Sequence, residues 1–334
     1  MSDSASRRFV ATGARVGVLW PRPLAALSAV NPWAGPASRL VGCRRCTSVP
    51  VAVSVAGTDE KRRRWQSVEG MSEIFATGIQ MGESPRWHDG RFWMCDWLAG
   101  EVLAFDANGD REVVARIDGL PFSIDWLPDG RLVATTPGGV VVGSHLAPYG
   151  ATGQPFNEIV VDAAGRVWVD MPGSMPWEEP KPGIVAVVLF DGTSRQVADD
   201  VWFPNGMLVL GDDTLVVAES HADRLTAWTI TDSGELVDRR VWADLGPAAA
   251  PDGICADAEG AIWYASVPGQ RCTRVAEGGE VLDTVAADRG CFACMLGGDD
   301  GRMLYIVANH YDGGGASDGI VLTQPVDVPH AGRP

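Results

Sequence analysis

The chain has 334 residues, 46% of them hydrophobic and 21% charged, and a formal net charge of −16. That length suffices for one large core or for two domains. The acidic balance argues against a nucleic-acid partner, which needs a basic face. No stretch approaches the roughly 18 apolar residues of a membrane helix, so no membrane partner is expected either.

The charge is unevenly spread. Residues 1–70 carry 11 Lys+Arg against 4 Asp+Glu, whereas the remainder is strongly acidic. This first segment has several prolines and no regular apolar period, and it reads as lying outside the fold. It fits a disordered arm, an Arg- and Ser-rich targeting peptide, or an extension from an upstream start codon. The last reading is preferred, because Met71 opens a coherent domain with "MSEIFATGIQ". The basic run Lys61–Arg64 reads as solvated linker.

Beyond it, the chain is rich in turns and strand formers, with Gly 40, Pro 22 and Trp 13. That composition favours a β protein over a helical one. A tight turn followed by an apolar strand recurs six times: "HDGRFWMCD", "PDGRLVATT", "AAGRVWVDM", "GDDTLVVAE", "AEGAIWYAS" and "DDGRMLYIV". The turns fall at Gly90, Gly130, Gly165, Asp213, Gly260 and Gly301, at intervals of 35 to 48 residues. That spacing fits one four-stranded propeller blade per repeat. The expected fold is therefore all-β, a six-bladed β-propeller over residues 71–330, followed by a short tail at 331–334. Strands near Ile74–Gly78 and Gly319–Val326 are expected to complete one blade together and so leave no free sheet edge.

The first strand of each blade lines the central channel of such a fold. Seven or eight positions before the turns stand Glu83, Ser123, Asn157, Asn205, Asp252 and Ala293. A shared register places them in one ring at one end of the channel, and five of the six carry oxygen. Two carboxylates and two amides converging on an axis call for a counter-charge, because an unpaired buried charge is costly. No Lys or Arg occupies the ring. A divalent cation supplies the charge: oxygen donors suit calcium, magnesium or manganese, with zinc or iron(II) also admitted. Taken singly, "PNG" at Asn205 and "PDG" at Asp252 are ordinary turn sequences. The common register with Glu83 and Asn157 is what favours a site.

Other chemistries find little support. The sequence has no G-x-S-x-G elbow, no H-E-x-x-H, and no Gly-rich phosphate loop after a strand. His88 and His221 read as surface or loop groups, while His310 is placed near a channel mouth. Seven cysteines without even spacing point to a reduced, cytoplasmic location. Two C-x-x-C pairs, Cys43/Cys46 and Cys291/Cys294, carry zinc-like spacing, but "CFACML" around the second reads as core.

"GESPRW", "FNEIVVDAAGRVWV", "FPNGMLVLGDDTLVVAES", "RVWADL", "PDGICADAEGAIWYASV" and "CFACMLGGDDGRMLYIV" together resemble the gluconolactonase / senescence marker protein (regucalcin) family over about residues 72–330. The resemblance implies a six-bladed propeller with one divalent metal on its axis. It implies Glu83, Asn205 and Asp252 as the metal ligands, Asn157 in contact with substrate or bound water, and Asp252 also as general base. Two positions depart from the family pattern. Pro155 stands where animal sugar lactonases have arginine, and Glu158 stands where aspartate is common.

The function expected from this resemblance is a metal-dependent hydrolase, with calcium as the expected ion. It opens a small-molecule lactone, a sugar lactone such as an aldonolactone, by polarising the carbonyl and activating water. The loop Met171–Gly183, with Trp177, Glu178 and Glu179, either covers the channel or is simply exposed. The competing readings are a metal-dependent arylesterase or organophosphate hydrolase, and a non-catalytic calcium-binding or interaction propeller. The polar ring counts against a pure scaffold.

Overall fold

The computed structural model describes residues 72–143, the backbone of 147–150, and residues 156–175, 178–189, 191–310 and 318–332. The expected extension at 1–70, the Lys61–Arg64 run, Cys43, Cys46, Pro155 and Trp177 lie outside the described residues.

The described chain is built from 24 strands in six four-stranded antiparallel sheets. Blade one comprises β1's successors β2 (Gly82–His88), β3 (Arg91–Asp96), β4 (Glu101–Phe105) and β5 (Arg111–Arg116); β1 itself spans Glu73–Ile79. Blade two holds β6 (Ile124–Trp126), β7 (Leu132–Thr136), β8 (Gly139–Val142) and β9 (Ala147–Gly150). Blade three holds β10 (Ile159–Val161), β11 (Val167–Met171), β12 (Gly183–Val188) and β13 (Ser194–Val201). Blade four holds β14 (Pro204–Leu210), β15 (Thr214–Glu219), β16 (Arg224–Ile230) and β17 (Leu236–Asp244). Blade five holds β18 (Pro251–Ala256), β19 (Ile262–Ser266), β20 (Arg271–Val275) and β21 (Val281–Ala286). Blade six orders β22 (Gly290–Gly297), β23 (Met303–Asn309), β24 (Gly319–Pro325) and then β1.

The pairing of β1 with β24 runs from Glu73↔Thr323 to Ile79↔Gly319. The expected closure by the two ends of the fold is thus present, and it leaves no gap between first and last blade. All six turn residues found by the repeat pattern lie between the first and second strands of their blades. Among the described residues the only helical piece is a 3-10 turn at Ser220–Ala222.

The inner strands are apolar on both faces because each blade is covered by a neighbour on each side, whereas outermost strands such as β5 and β21 are largely exposed. In β10, Ile159 and Val161 pack toward blade two, while Val160 packs toward blade four. In β14, Met207 and Val209 join the blade-three side and Leu208 joins the blade-five side. Alternation thus divides these inner strands between two cores instead of between core and water. The first strands of successive blades touch around the ring, from β2 through β6, β10, β14, β18 and β22 back to β2.

Four of those inner strands carry a one-residue bulge at their channel end. The register shifts fall between Glu83 and Arg86, Pro204 and Met207, Pro251 and Ile254, and Cys291 and Ala293. A bulge bends its strand and re-aims side chains. In blade one, Ser84 takes a left-handed φ of 50° to make it.

Candidate metal centre

Four of the six ring residues sit at or beside one of these irregularities. Glu83 lies on β2 opposite Cys95, Asn205 and Asp252 lie inside the bulges of β14 and β18, and Ala293 follows the bulge of β22. Ser123 and Asn157 precede β6 and β10, and backbone hydrogen bonds to Thr135 and Asp170 hold them in place. The two glycines beside the ring acids serve close approach. A Cβ on Gly206 would lie 2.5 Å from the Asp252 carbonyl oxygen, and one on Gly253 would strike Ala293. Blades four, five and six therefore crowd together at the ring.

Ring positions are also stitched together across blades. The Ser84 hydroxyl accepts from the Ile124 N–H at 3.0 Å, and the Ser220 hydroxyl donates to the Pro251 carbonyl at 2.7 Å. The Ser123 hydroxyl lies 2.7 Å from both the Asn157 carbonyl oxygen and Glu158 Oε1. It is committed to that blade-three loop, so it is no free member of the oxygen ring. At the start of β14, buried Glu219 accepts from the Trp202 N–H at 2.7 Å and from Arg224 Nε at 2.9 Å, which fixes the approach to Asn205.

Four carboxyl groups are buried here: Glu83 (7% exposed), Glu158 (7%), Asp170 (0%) and Asp252 (9%). Burial, then the charges of Asp252 and Glu158, push the Glu83 carboxyl well above its ordinary value. Burial and the Glu158 charge push Asp252 up, against hydrogen bonds from the Gly253 N–H and the Asn205 side chain. Asp170 is raised by burial and by Glu158, against hydrogen bonds from the Glu158 N–H and the Asn157 side chain. Desolvation and like-charge repulsion both disfavour the ionised forms.

Sequence reasoning placed Glu83, Asn157, Asn205 and Asp252 at one end of the channel; in the structure the Asp252 charge acts on Glu83, the Asn205 side chain hydrogen-bonds Asp252, and the Asn157 side chain hydrogen-bonds Asp170. It missed the functional setting of Arg86, Glu158 and Asp170. Arg86 follows a proline inside a strand, and Asp170 is a lone acid in the apolar run "VWVDM". Pro85 was the available signal, because proline inside a strand marks a bulge. With that bulge, Glu83 opposes Cys95 and Arg86 opposes Trp93, so both emerge on one face although they stand three apart.

The donor set fits a hard divalent cation. Glu83 and Asp252 offer carboxylates and Asn205 an amide oxygen, and buried Asp252 Oδ1 has no hydrogen-bond partner. Among the described residues, no three His, Cys, Asp or Glu side chains converge in metal-holding geometry. The ring set contains only two acids, with Asn205 as third donor. Remaining positions of a roughly six- to eight-coordinate shell would go to water or substrate.

Cys95, Cys255, Cys272, Cys291 and Cys294 are buried free thiols. Burial pushes Cys255, Cys272 and Cys294 up, so the reading of "CFACML" as core holds. His88 stacks on Trp126, with ring centroids 4.0 Å apart. His310 is exposed and paired with Asp318 at 2.9 Å, on the residue after β23. Glu178 and Glu179 are exposed.

The pattern of the SMP-30/Gluconolactonase/LRE-like region matches residues 81–310. The chain belongs to that family. Across 280 residues it is 24% identical to a 6-deoxy-6-sulfogluconolactonase of Pseudomonas putida, covering 76% of this chain and 94% of that protein. It is 32% identical to regucalcin of Danio rerio over 163 residues, 46% of this chain and 54% of that protein. Among solved structures, a calcium-binding regucalcin of Agrobacterium tumefaciens superposes with a TM-score of 0.68 at 18% identity, covering 79% and 96% of the two chains. A gluconolactonase of Xanthomonas campestris gives 0.60 at 21% identity, covering 77% and 89%. At those identities the structural likenesses speak to the fold.

Proposed function

We propose that the protein is a metal-dependent lactonase of the cytoplasm, opening a sugar lactone such as an aldonolactone at the channel end ringed by Glu83, Asn157, Asn205 and Asp252. The observation that carries this reading is the pair of buried, raised carboxyls, Glu83 and Asp252, beside the Asn205 amide. The family match and the 6-deoxy-6-sulfogluconolactonase relative support a lactone as the substrate class.

Glu83, Asn205 and Asp252 would hold the ion, with calcium preferred and zinc, manganese, magnesium or iron(II) compatible. A bound divalent cation would supply Lewis-acid polarisation of the lactone carbonyl. Asp252 takes a proton from the attacking water as the new C–O bond forms. Without metal, burial and the Glu158 charge raise its carboxyl; a bound cation would favour the carboxylate that a base requires. The ring C–O bond then breaks and the leaving oxygen regains a proton, giving the open hydroxy acid. Asn157 hydrogen-bonds the substrate and fixes its orientation over the ring.

A second reading keeps the same cation site without turnover, as a calcium-binding propeller. The buried oxygen set suits it equally, and one relative is a regucalcin. The deciding experiment offers aldonolactones (a 6-sulfonated one included), other lactones and aryl esters to chelator-stripped protein reloaded with each ion. Lactone hydrolysis that vanishes on chelation and returns with metal is expected. Protein that binds metal but opens no lactone would favour the non-catalytic reading. Aryl esters turned over in preference to lactones would favour an arylesterase.

A further inference from the structure

Behind the ring lies a buried cation. Arg86 is 5% exposed. Its Nη2 donates to the Ile159 carbonyl at 2.6 Å and lies 3.4 Å from Glu158 Oε2, while Nη1 donates to the Pro85 carbonyl at 2.9 Å. Arg86 belongs to blade one and Glu158 to blade three, so the ion pair passes across the mouth of blade two. The other Glu158 oxygen is held by Ser123 of blade two. Arg86 Nε is buried without a partner. Arg86 and Glu158 both line a small cavity shared with Ser84, Gly206, Gly253 and Cys294, which are the immediate neighbours of the ring positions in blades one, four, five and six.

Glu158 is the one charge that acts on Glu83, Asp170 and Asp252 alike. It stands electrostatically at the centre of the acidic cluster, and Arg86 is the positive charge set against it. A strut alone explains this poorly, since apolar residues of similar volume hold blades together as well as a buried ion pair or better.

The geometry points to Arg86 as the residue that sets cation affinity: by neutralising Glu158 from behind, it holds the ring to one divalent ion of restrained affinity. This rests on the reading that Glu83, Asn205 and Asp252 hold a divalent cation. An uncompensated Glu158 would draw the ion more tightly, and an uncompensated Arg86 would repel it.

The test is calorimetric titration of calcium into metal-stripped wild type, Arg86→Met, Glu158→Gln and the double variant, at one pH and ionic strength. Arg86→Met is expected to bind about tenfold or more tighter, and Glu158→Gln about tenfold or more weaker. The double variant is expected to return to within about threefold of wild type. Metal-free Arg86→Met should unfold at lower temperature and recover with calcium. Single variants that lose metal-free stability yet bind calcium like wild type would reduce the pair to a strut and overturn the inference. If Arg86→Met does not fold, Glu158→Gln decides alone: weaker binding supports the inference and unchanged binding overturns it. Wild type that takes up no divalent ion would overturn both this inference and the metal-centre reading, whereas the variants bear on this inference only.

Discussion

Gly206 and Asp252 approach so closely that a Cβ at Gly206 would come within 2.5 Å of the Asp252 carbonyl oxygen and 2.6 Å of the Ile254 nitrogen. Both obstacles are backbone, so no side chain can swing aside. Gly206→Ala is therefore expected to push β14 and β18 apart and to cost about 1–3 kcal/mol of stability. Because the displaced atoms belong to Asp252 and its neighbours, metal affinity should fall as well. Urea unfolding and calcium titration of the same variant check the two effects. Wild-type values in both would mean that the strands have slack at the ring.

The raised carboxyls make stability depend on pH in a defined direction. A carboxyl whose folded value lies above its unfolded one favours folding while protonated. That contribution is complete below the unfolded value, near pH 4, and is lost as pH rises through the raised folded values. Glu83 and Asp252 both lie on that side. Metal requires them ionised, so its binding releases protons at lower pH. The rise in Tm produced by calcium should therefore grow as pH rises above the ordinary carboxyl range. Scanning calorimetry with calcium and with chelator gives the comparison, and a rise that stays constant with pH would contradict it.

Asp252→Asn separates binding from folding. The substitution removes a buried carboxylate whose Oδ1 has no partner. Metal-free protein should then be at least as stable as wild type, while calcium affinity falls by about 2–5 kcal/mol, a loss of roughly 30-fold or more. Lactone hydrolysis should fall below detection in this variant. Full activity would remove Asp252 from the role of base.

The β1–β24 pairing makes a prediction about length. A chain starting at Met71 keeps β1 and should give a soluble propeller with the metal-binding behaviour of the full chain. Removing residues through Ile79 strips the outer strand from β24 and exposes its edge, so aggregation and a lower Tm are expected. Size-exclusion chromatography and thermal unfolding of the two shortened chains distinguish these outcomes.

Much of this was legible in one dimension. The turn-strand repeat gave six blades because each blade is a local antiparallel sheet, and local pairing leaves its period in the sequence. Glu83, Asn157, Asn205 and Asp252 were found by counting back from those turns. The count is seven in blades one and two and eight in the other four, and it does not track the bulges, since blade one has a bulge and β10 of blade three has none. The bulge does account for Arg86: simple alternation assigns it to the face opposite Glu83, and the bulge returns it to the same one. Glu158 was noticed only as a departure from a family pattern.

The sequence by itself determined the blade count, the closure by two distant strands and the ring of acids and amides. Those features follow from local turn chemistry and strand periodicity. Only the tertiary structure decided which charges meet. Arg86 and Glu158 are 72 residues apart and come together because β2, β6 and β10 converge on one axis. Burial at that axis, which no local pattern encodes, raises Glu83, Asp170 and Asp252 and turns a set of spaced acids into a candidate cation site.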